Sequence, residues 1–543
     1  MAGTFHLILR ELVLPIRENE DSLPARAAAR LGCAVQDIVS CQILRRSLDA
    51  RRRRKREARV YQLRLELPNR LRKSLDLAAI RGVSLESRPR RDEIETPGSP
   101  SSTGVFRPLV AGAGPAGLFA ALRLARAGWK PLLVERGDDL EERRRAVAAF
   151  WREGRLDSES NVLFGLGGAG LFSDGKLNTR HKDREGLAVI LRLLVEAGAP
   201  EDILLDAEPH LGSDLLGDVA AGLAREIRRL GGEIRFRTRL ERLDAEGGRL
   251  RAAVLSDGGE IMVSACVLAA GHSARDVYPM LAGAGVRLEA RPFAIGLRAE
   301  MPQEAINLSQ FRAGEAEAAA SFRLSRPPGA GAAACYSFCM CPGGRVVPCA
   351  SEPGRLCVNG MSLRNRDGEW GNAAFLSPVG PEDFPPFAKG APAGLAGVGF
   401  QRFWEGRAWR AGLAAGPYGV PGCRLEDFLT GGGPSLPERR GVDRACAADL
   451  GPLLPERVAE ALRSALPLLL SRLRKVRPET VTLYGVESRS ASPVRLCRNG
   501  EGEAEGLAGL YPAGEGSGYA GGIMTSALDG WRAAGKVMAA ARR

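Results

Sequence analysis

The run CYSFCMCPGGRVVPC, Cys335 to Cys349, sets Cys339 and Cys341 two positions apart, so strand alternation puts both on one side, with the turn Pro342-Gly343-Gly344 behind them. A thiol placed beside an electron-transfer group can exchange electrons, form an adduct or donate a proton. A buried strand cysteine is equally a small hydrophobe. Such close spacing strains an internal disulfide. His272, one of 4 histidines, Tyr336 and Tyr519 are the other candidate proton donors, and Tyr519 lies inside a glycine loop. Arg489 and Arg495 are candidates for holding an anion. The 11 cysteines show neither the CxxC pairs of zinc sites nor the runs of iron–sulfur clusters, so reduced thiols and no metal are expected.

These side chains need a scaffold. The stretch RPLVAGAGPAGLFAALRLARAGWKPLLVERG, beginning at Arg107, packs a strand, a glycine turn, a helix and a second strand together. Gly112 permits the tight turn, Gly114 lets backbone approach a pyrophosphate, and Gly117 lets helix and strand pack closely. The helix opening at Pro115 and Ala116 points free N–H groups and its positive dipole end at the phosphates. Glu135, followed by Arg136, ends the second strand, where a carboxylate accepts from a ribose and repels a 2′-phosphate. This selects FAD or NAD over NADP.

The choice between them rests on GLYPAGEGSGYAGGI near the other end. Gly514-Glu515 offers an acid for a ribityl hydroxyl. Gly521, Gly522 and Ile523 then open a helix whose dipole faces the pyrimidine edge of a flavin. A simple NAD dehydrogenase has no use for that element so far downstream, so FAD is expected, bound noncovalently. A reduced nicotinamide nucleotide, NAD(P)H, is a candidate transient reductant. Ala270 and Gly271 end a further apolar strand. The loop FGLGGAGLFSDGKL, with Gly167, Gly168, Gly170, Ser173 and Lys176, can wrap the pyrophosphate and ribityl chain.

The elements around these motifs imply an α/β protein in several domains. Residues 1–95 read as a small N-terminal α/β module: a strand over His6–Ile16, a helix over Ser22–Leu31 and a strand over Tyr61–Leu67. Residues 96–104, rich in Pro, Ser and Gly, read as a linker. Residues 105–285 and 481–543 make a discontinuous Rossmann-like FAD-binding domain, and 286–480 an inserted α+β middle domain that supplies the substrate side. The net charge of +13 and the basic run Arg45–Arg56 make nucleic acid a candidate partner, although such a run also serves as a solvated face. No apolar stretch is long enough to span a membrane, and a cytoplasmic protein is expected.

Taken together, SLDAR at Ser47–Arg51, GAGPAGL at Gly112–Leu118, GGAG-x-FSDGKL at Gly167–Leu177, AAGHSARD at Ala269–Asp276, PFAIGLR at Pro292–Arg298, FCMCPGG at Phe338–Gly344, NGMS at Asn359–Ser362 and PAGEGSGYAGGI at Pro512–Ile523 resemble a bacterial FAD-dependent dehydrogenase family without an assigned substrate. The chain is more distantly similar to geranylgeranyl reductases and electron-transfer-flavoprotein dehydrogenases. The resemblance implies a glutathione-reductase-like FAD fold and an oxidoreductase passing a hydride or electrons between flavin and a small organic substrate. An RNA-modifying flavoenzyme and an electron-transfer flavoprotein without its own small substrate are the alternatives.

Overall fold

The computed structural model describes residues 3–49, 58–86, 107–311, 319–329 and 333–542. The expected linker at 96–104 and residues 50–56 of the basic run lie outside them. The chain divides into two compact units, one of Met1–Glu95, Pro200–His210 and Gln310–Ala316, the other of the remaining residues.

In the first unit, alternation along Thr4–Pro15 puts Leu7, Leu9, Leu12 and Leu14 on buried positions. That strand pairs antiparallel with Ala58–Pro68, whose Tyr61, Leu63, Leu65 and Leu67 join the same core. The helix Leu23–Leu31 starts with a proline in its first turn, stops at left-handed Gly32 and adds Leu23, Ala27 and Leu31 to that core. The strand, helix and strand expected here are present, together with Ser40–Asp49 and the short Val83–Leu85, giving one four-stranded sheet. Ser40–Asp49 was hidden because its second half is the start of the basic run.

The second unit holds two large sheets. The first is a five-stranded parallel sheet in the order Leu510–Pro512, Cys266–Leu268, Leu109–Ala111, Leu132–Val134, Glu233–Arg235. Its four neighbouring strands from Leu510–Pro512 to Leu132–Val134 are buried along their whole length, as expected of a parallel sheet covered on both faces. Helices Pro115–Arg126 and Ile523–Ala540 pack so closely that a Cβ on Gly530 would stand 1.9 Å from the Ala116 carbonyl oxygen. The two glycine motifs, some 400 residues apart in sequence, are thereby brought side by side.

Between Leu268 and Leu510 the chain builds a seven-stranded, mainly antiparallel sheet around Phe293–Pro302, which pairs with Trp370–Val379 on one side and Thr482–Glu487 on the other. Cys335–Cys341 joins through Trp370–Val379, and Val420–Arg424 through Thr482–Glu487. The chain therefore returns to the parallel sheet later than the expected position 481. Thr482–Glu487 is buried at all six positions, and a short apolar run reads alike in either sheet until its pairing is known.

Candidate cofactor site and active site

Gly112 leaves the strand Leu109–Ala111 with φ 106°, and a Cβ there would lie 2.4 Å from the Ala269 carbonyl oxygen. A Cβ on Gly117 would stand 1.8 Å from the Gly112 oxygen. Both glycines are demanded by the protein's own packing. Gly114 differs: a Cβ there meets nothing nearer than the Gly168 Cα at 3.8 Å, so the protein's own packing does not demand a glycine at this position. It caps the helix Pro115–Arg126 without a side-chain hydrogen bond, and Gly522 caps Ile523–Ala540 in the same way with no atom near its Cβ position. Two uncapped helix N-termini thus open on one cavity, of about 310 Å³.

Of the residues expected to hold the cofactor, all but Gly117, Gly167 and Gly521 line this cavity. Gly167 instead ties the second glycine loop to the first by donating to the Ala113 oxygen, and Gly521 accepts from and donates to the Thr525 hydroxyl. The buried Glu135 does more than face a ribose. Its Oε2 accepts from Ala113 N at 2.7 Å, and its Oε1 from Gly137 N at 2.9 Å and Gly165 N at 3.0 Å. The carboxylate staples the first glycine turn to the second glycine loop, and Oε2, with one donor, keeps acceptor capacity for a hydroxyl.

That second loop is organised by Arg143, which the sequence did not single out. It is fully buried and donates to the carbonyls of Asn161, Val162, Gly165, Leu166 and Gly168. Burial lowers its pKa to about 10, with Glu135 opposing. Nothing in the helix sequence EERRRAV separates this inward arginine from its neighbours. At the far end of the cavity Glu515 is pushed up to about 7 by burial, against the Gly522 N–H and Arg291. Uncapped N–H groups, the bare wall at Gly114 and a carboxyl at each end fit a dinucleotide carrying ribose and ribityl hydroxyls.

The opposite wall comes from the seven-stranded sheet, and here the expectation for the cysteines changes. A register shift between Phe338 and Cys341, with Cys339 at φ 42°, breaks the alternation that would have set Cys339 and Cys341 on one face. Cys339 lines the cavity, whereas Cys341 is buried behind it, 3.4 Å from the Cys339 oxygen and 4.0 Å from Arg298 Nη1. The neighbouring Cys341 lowers the Cys339 pKa to about 5; burial opposes this, while Lys176 and Arg298 reinforce it. Cys339, then burial, raises Cys341 well above the thiol range. Of the two thiols, Cys339 is the one whose surroundings favour the thiolate. Non-glycine residues in the left-handed region cost free energy and persist where the surroundings hold them.

Lys176, also on the wall, donates to the Met340 oxygen and pairs with Asp174 at 3.0 Å. Although burial lowers its pKa, the two thiols and Asp174 outweigh that and hold it raised. Arg298, fully buried, forms a two-pronged pair with Glu487 at 2.6 and 2.9 Å and donates to the Cys339 oxygen and to Asn372 and Asn359. Burial raises Glu487 despite that partner.

Three expectations need correction. His272 lines the cavity, but burial, then Arg489 and Arg275, lower its pKa to about 3; it is neutral at ordinary pH and so a poor acid. Tyr519 is 46% exposed and lies outside the wall, its ring 4.1 Å from the Arg498 guanidinium and 5.3 Å from that of Arg495. A glycine loop leaves the direction of its one large side chain open, and two cations claim this one. Tyr336 packs on Ala294, Ala374 and Leu376 instead.

Arg489 does stand on the wall, held by Glu405 at 3.0 Å through both Nε and Nη2 and by the hydroxyls of Ser273 and Ser351. Glu405, likewise missed, is fully buried and also pairs with Arg275 at 2.7 and 2.8 Å. Its signal was present: Gln401 and Glu405, four apart in FQRFWEGRAW, share the buried side of the helix Ala396–Gly412. Among the described residues no helix is long and apolar enough to cross a membrane, and no group of three or more His, Cys, Asp or Glu is placed to hold a metal ion.

Residues 292–490 match the family described as FAD-dependent protein, C-terminal domain-like, and residues 8–66 match a domain of unknown function. Among solved structures, the chain is similar to glycine oxidase from Bacillus cereus ATCC 14579, at 12% identity over 80% of this chain and 95% of that one with a TM-score of 0.35. It is similar also to the flavin-dependent brominase Bmp2, at 11% identity over 80% and 79% with a TM-score of 0.35. A protein of Clostridium beijerinckii (strain ATCC 51743 / NCIMB 8052), described as uncharacterized, is 40% identical over 535 residues, 97% of either chain. With that identity along nearly its whole length, the chain belongs to the family of the Clostridium beijerinckii protein.

Proposed function

We propose that the protein is an FAD-dependent oxidoreductase acting on a small organic substrate, with Cys339 as the proton-transfer group. The carrying observation is that one cavity is lined by Gly114 and Glu135 from one glycine motif, by Glu515 and Gly522 from the other, and by Cys339 from the seven-stranded sheet. FAD, when bound, supplies two-electron chemistry at its ring.

The chain's own groups do the rest. Gly114 and the N–H groups after it take the pyrophosphate. Glu135 Oε2 accepts from the adenosine ribose, and Glu515 from the ribityl chain. The Cys339 thiolate takes a proton from the substrate when the substrate is oxidised and returns it in the reverse direction. Lys176 holds the negative charge in place, and the Cys341 thiol and Arg298, both donating to the Cys339 oxygen, hold the bulge that turns Cys339 toward the cavity. Arg489, fixed by Glu405, presents a cationic wall to an anionic part of the substrate.

Anaerobic reduction of the purified protein by NADH, NADPH and a metabolite panel, followed by absorbance, tests this reading. A yellow protein whose flavin band bleaches with one class of donor is expected. Protein purified without flavin absorbance would overturn it.

A further inference from the structure

The hairpin of Arg345–Cys349 and Cys357–Met361 sets Cys349 directly opposite Cys357 in antiparallel register. Opposed residues in such a ladder have Cα atoms about 4.5–5.5 Å apart, inside the span of about 4.4–6.8 Å that a disulfide bridges. The Cys357 Sγ donates to the Cys349 oxygen at 3.5 Å. The Cys349 Sγ donates to the Val347 oxygen at 3.8 Å; its neighbour Cys357, then burial, raises the Cys349 pKa well above the thiol range, while Arg489 pulls against it. The two residues are only 1% and 2% exposed, yet both line the cavity. Whatever exchanges electrons with them must therefore occupy that cavity, and a bulky thiol in solution is shut out. The proton path through Cys339 makes no use of them.

We propose that Cys349 and Cys357 are a redox-active pair that closes to a disulfide and exchanges an electron pair with the flavin in the same cavity. This rests on the flavoprotein reading above. Closing breaks two S–H bonds and forms one S–S bond; two electrons and one proton pass to the oxidised flavin, and the second proton leaves to solvent. Opening runs the other way, with reduced flavin as the donor. Arg489 favours the thiolate that either direction requires. Cys339 and Cys341 do not compete for this role, because they are too close in sequence to bridge without strain and only one of them reaches the cavity.

The full-length flavin-loaded protein is left to reoxidise in air, unfolded in guanidinium chloride with iodoacetamide so that every free thiol is blocked, digested and mapped by mass spectrometry. A linked peptide joining Cys349 to Cys357 is expected, replaced after reduction by two alkylated cysteines. Anaerobic dithionite titration of the oxidised protein should then consume two electron pairs per flavin before the band is fully bleached, falling to one pair in Cys349→Ser/Cys357→Ser and staying at two in Cys339→Ser. If the double variant fails to hold flavin, Cys349→Ala and Cys357→Ala singly give the same fall. Absence of the linked peptide overturns the pair. A linked peptide with one electron pair per flavin overturns the exchange. Flavin-free protein overturns the exchange together with the flavoprotein reading, and the peptide map then reports separately whether the bridge forms.

Discussion

The two walls of the cavity are built from different materials. On the parallel-sheet side the groups that face inward are mostly backbone: uncapped helix N–H groups, glycines without a Cβ, and a carboxylate that collects amides. On the seven-stranded side they are charged side chains, paired across long stretches of sequence: Arg298 with Glu487, Arg489 and Arg275 with Glu405, Lys176 beside Cys339. The first wall derives its specificity from short local turns, which cost little to assemble. The second depends on burying ions, and each buried ion is tolerated only while its partner is present. Substitutions should therefore separate the walls: on the first, binding fails while the fold survives, and on the second, the fold suffers as well.

The largest effect is expected at Glu405. Glu405→Gln leaves Arg275 and Arg489 buried against a neutral group and should cost about 3–5 kcal/mol in denaturant unfolding. Arg275 and Arg489 hold the Glu405 carboxyl below its free value of 4.5, against the opposing effect of burial. A group with a depressed folded pKa contributes fully above its unfolded value and loses that contribution as the pH falls toward the folded one. The wild-type advantage over Glu405→Gln should thus hold at neutral pH and shrink only below about pH 4.5. An unchanged midpoint at pH 7 would mean that the buried cluster is not what fastens this wall.

Next come the two glycines that differ in what they face. Gly114→Val places its side chain in the cavity, and should weaken flavin retention at least tenfold, about 1.4 kcal/mol, with little change in unfolding of the flavin-free protein. Gly117→Ala drives a methyl group into the Gly112 carbonyl and should lower stability with or without flavin. If both variants behave alike, the division between binding glycine and packing glycine is wrong.

This contrast also marks what the sequence could tell. The glycine turns, Glu135, the loop at Gly168 and the helix at Ile523 were legible because each motif carries its own geometry within a few residues. Arg143, Arg298 and Glu405 were not, because an inward arginine in EERRRAV looks like its outward neighbours and an ion pair between Arg298 and Glu487 exists only once two strands are in register. Sheet membership of Thr482–Glu487 failed for the same reason. The bulge at Cys339 is a further case: alternation is readable, but the residue at which it breaks depends on the partner strand.

A smaller effect is expected at the thiolate. With a pKa near 5 against a free thiol value of 9.0, Cys339 is deprotonated above about pH 5 and loses reactivity as the pH falls through that value. Iodoacetamide should alkylate it at about pH 6, where an ordinary thiol is almost wholly protonated. Lys176→Met removes one of the charges that favour the thiolate, so its midpoint should move upward and alkylation at the same pH should slow severalfold. A wild-type profile rising only near pH 9, read by mass spectrometry of the Cys339 peptide, would remove Cys339 from the proton path.

His272 sharpens the comparison with the least expected change. It stands on the wall between the two materials, close to Arg489 and Arg275, and those cations together with burial keep its imidazole neutral down to about pH 3. A neutral ring can orient a neighbour by hydrogen bonding, yet it gives no ionisation between pH 5 and 8, where an ordinary histidine titrates. His272→Asn keeps a hydrogen-bonding side chain of similar reach and should leave the pH dependence of flavin reduction unchanged across that window, with at most a modest loss of rate. Loss of a limb near pH 6.5 in the variant would show that the imidazole does titrate in the working protein. The two cations would then have to be farther from it, or better neutralised, than the Glu405 cluster makes them.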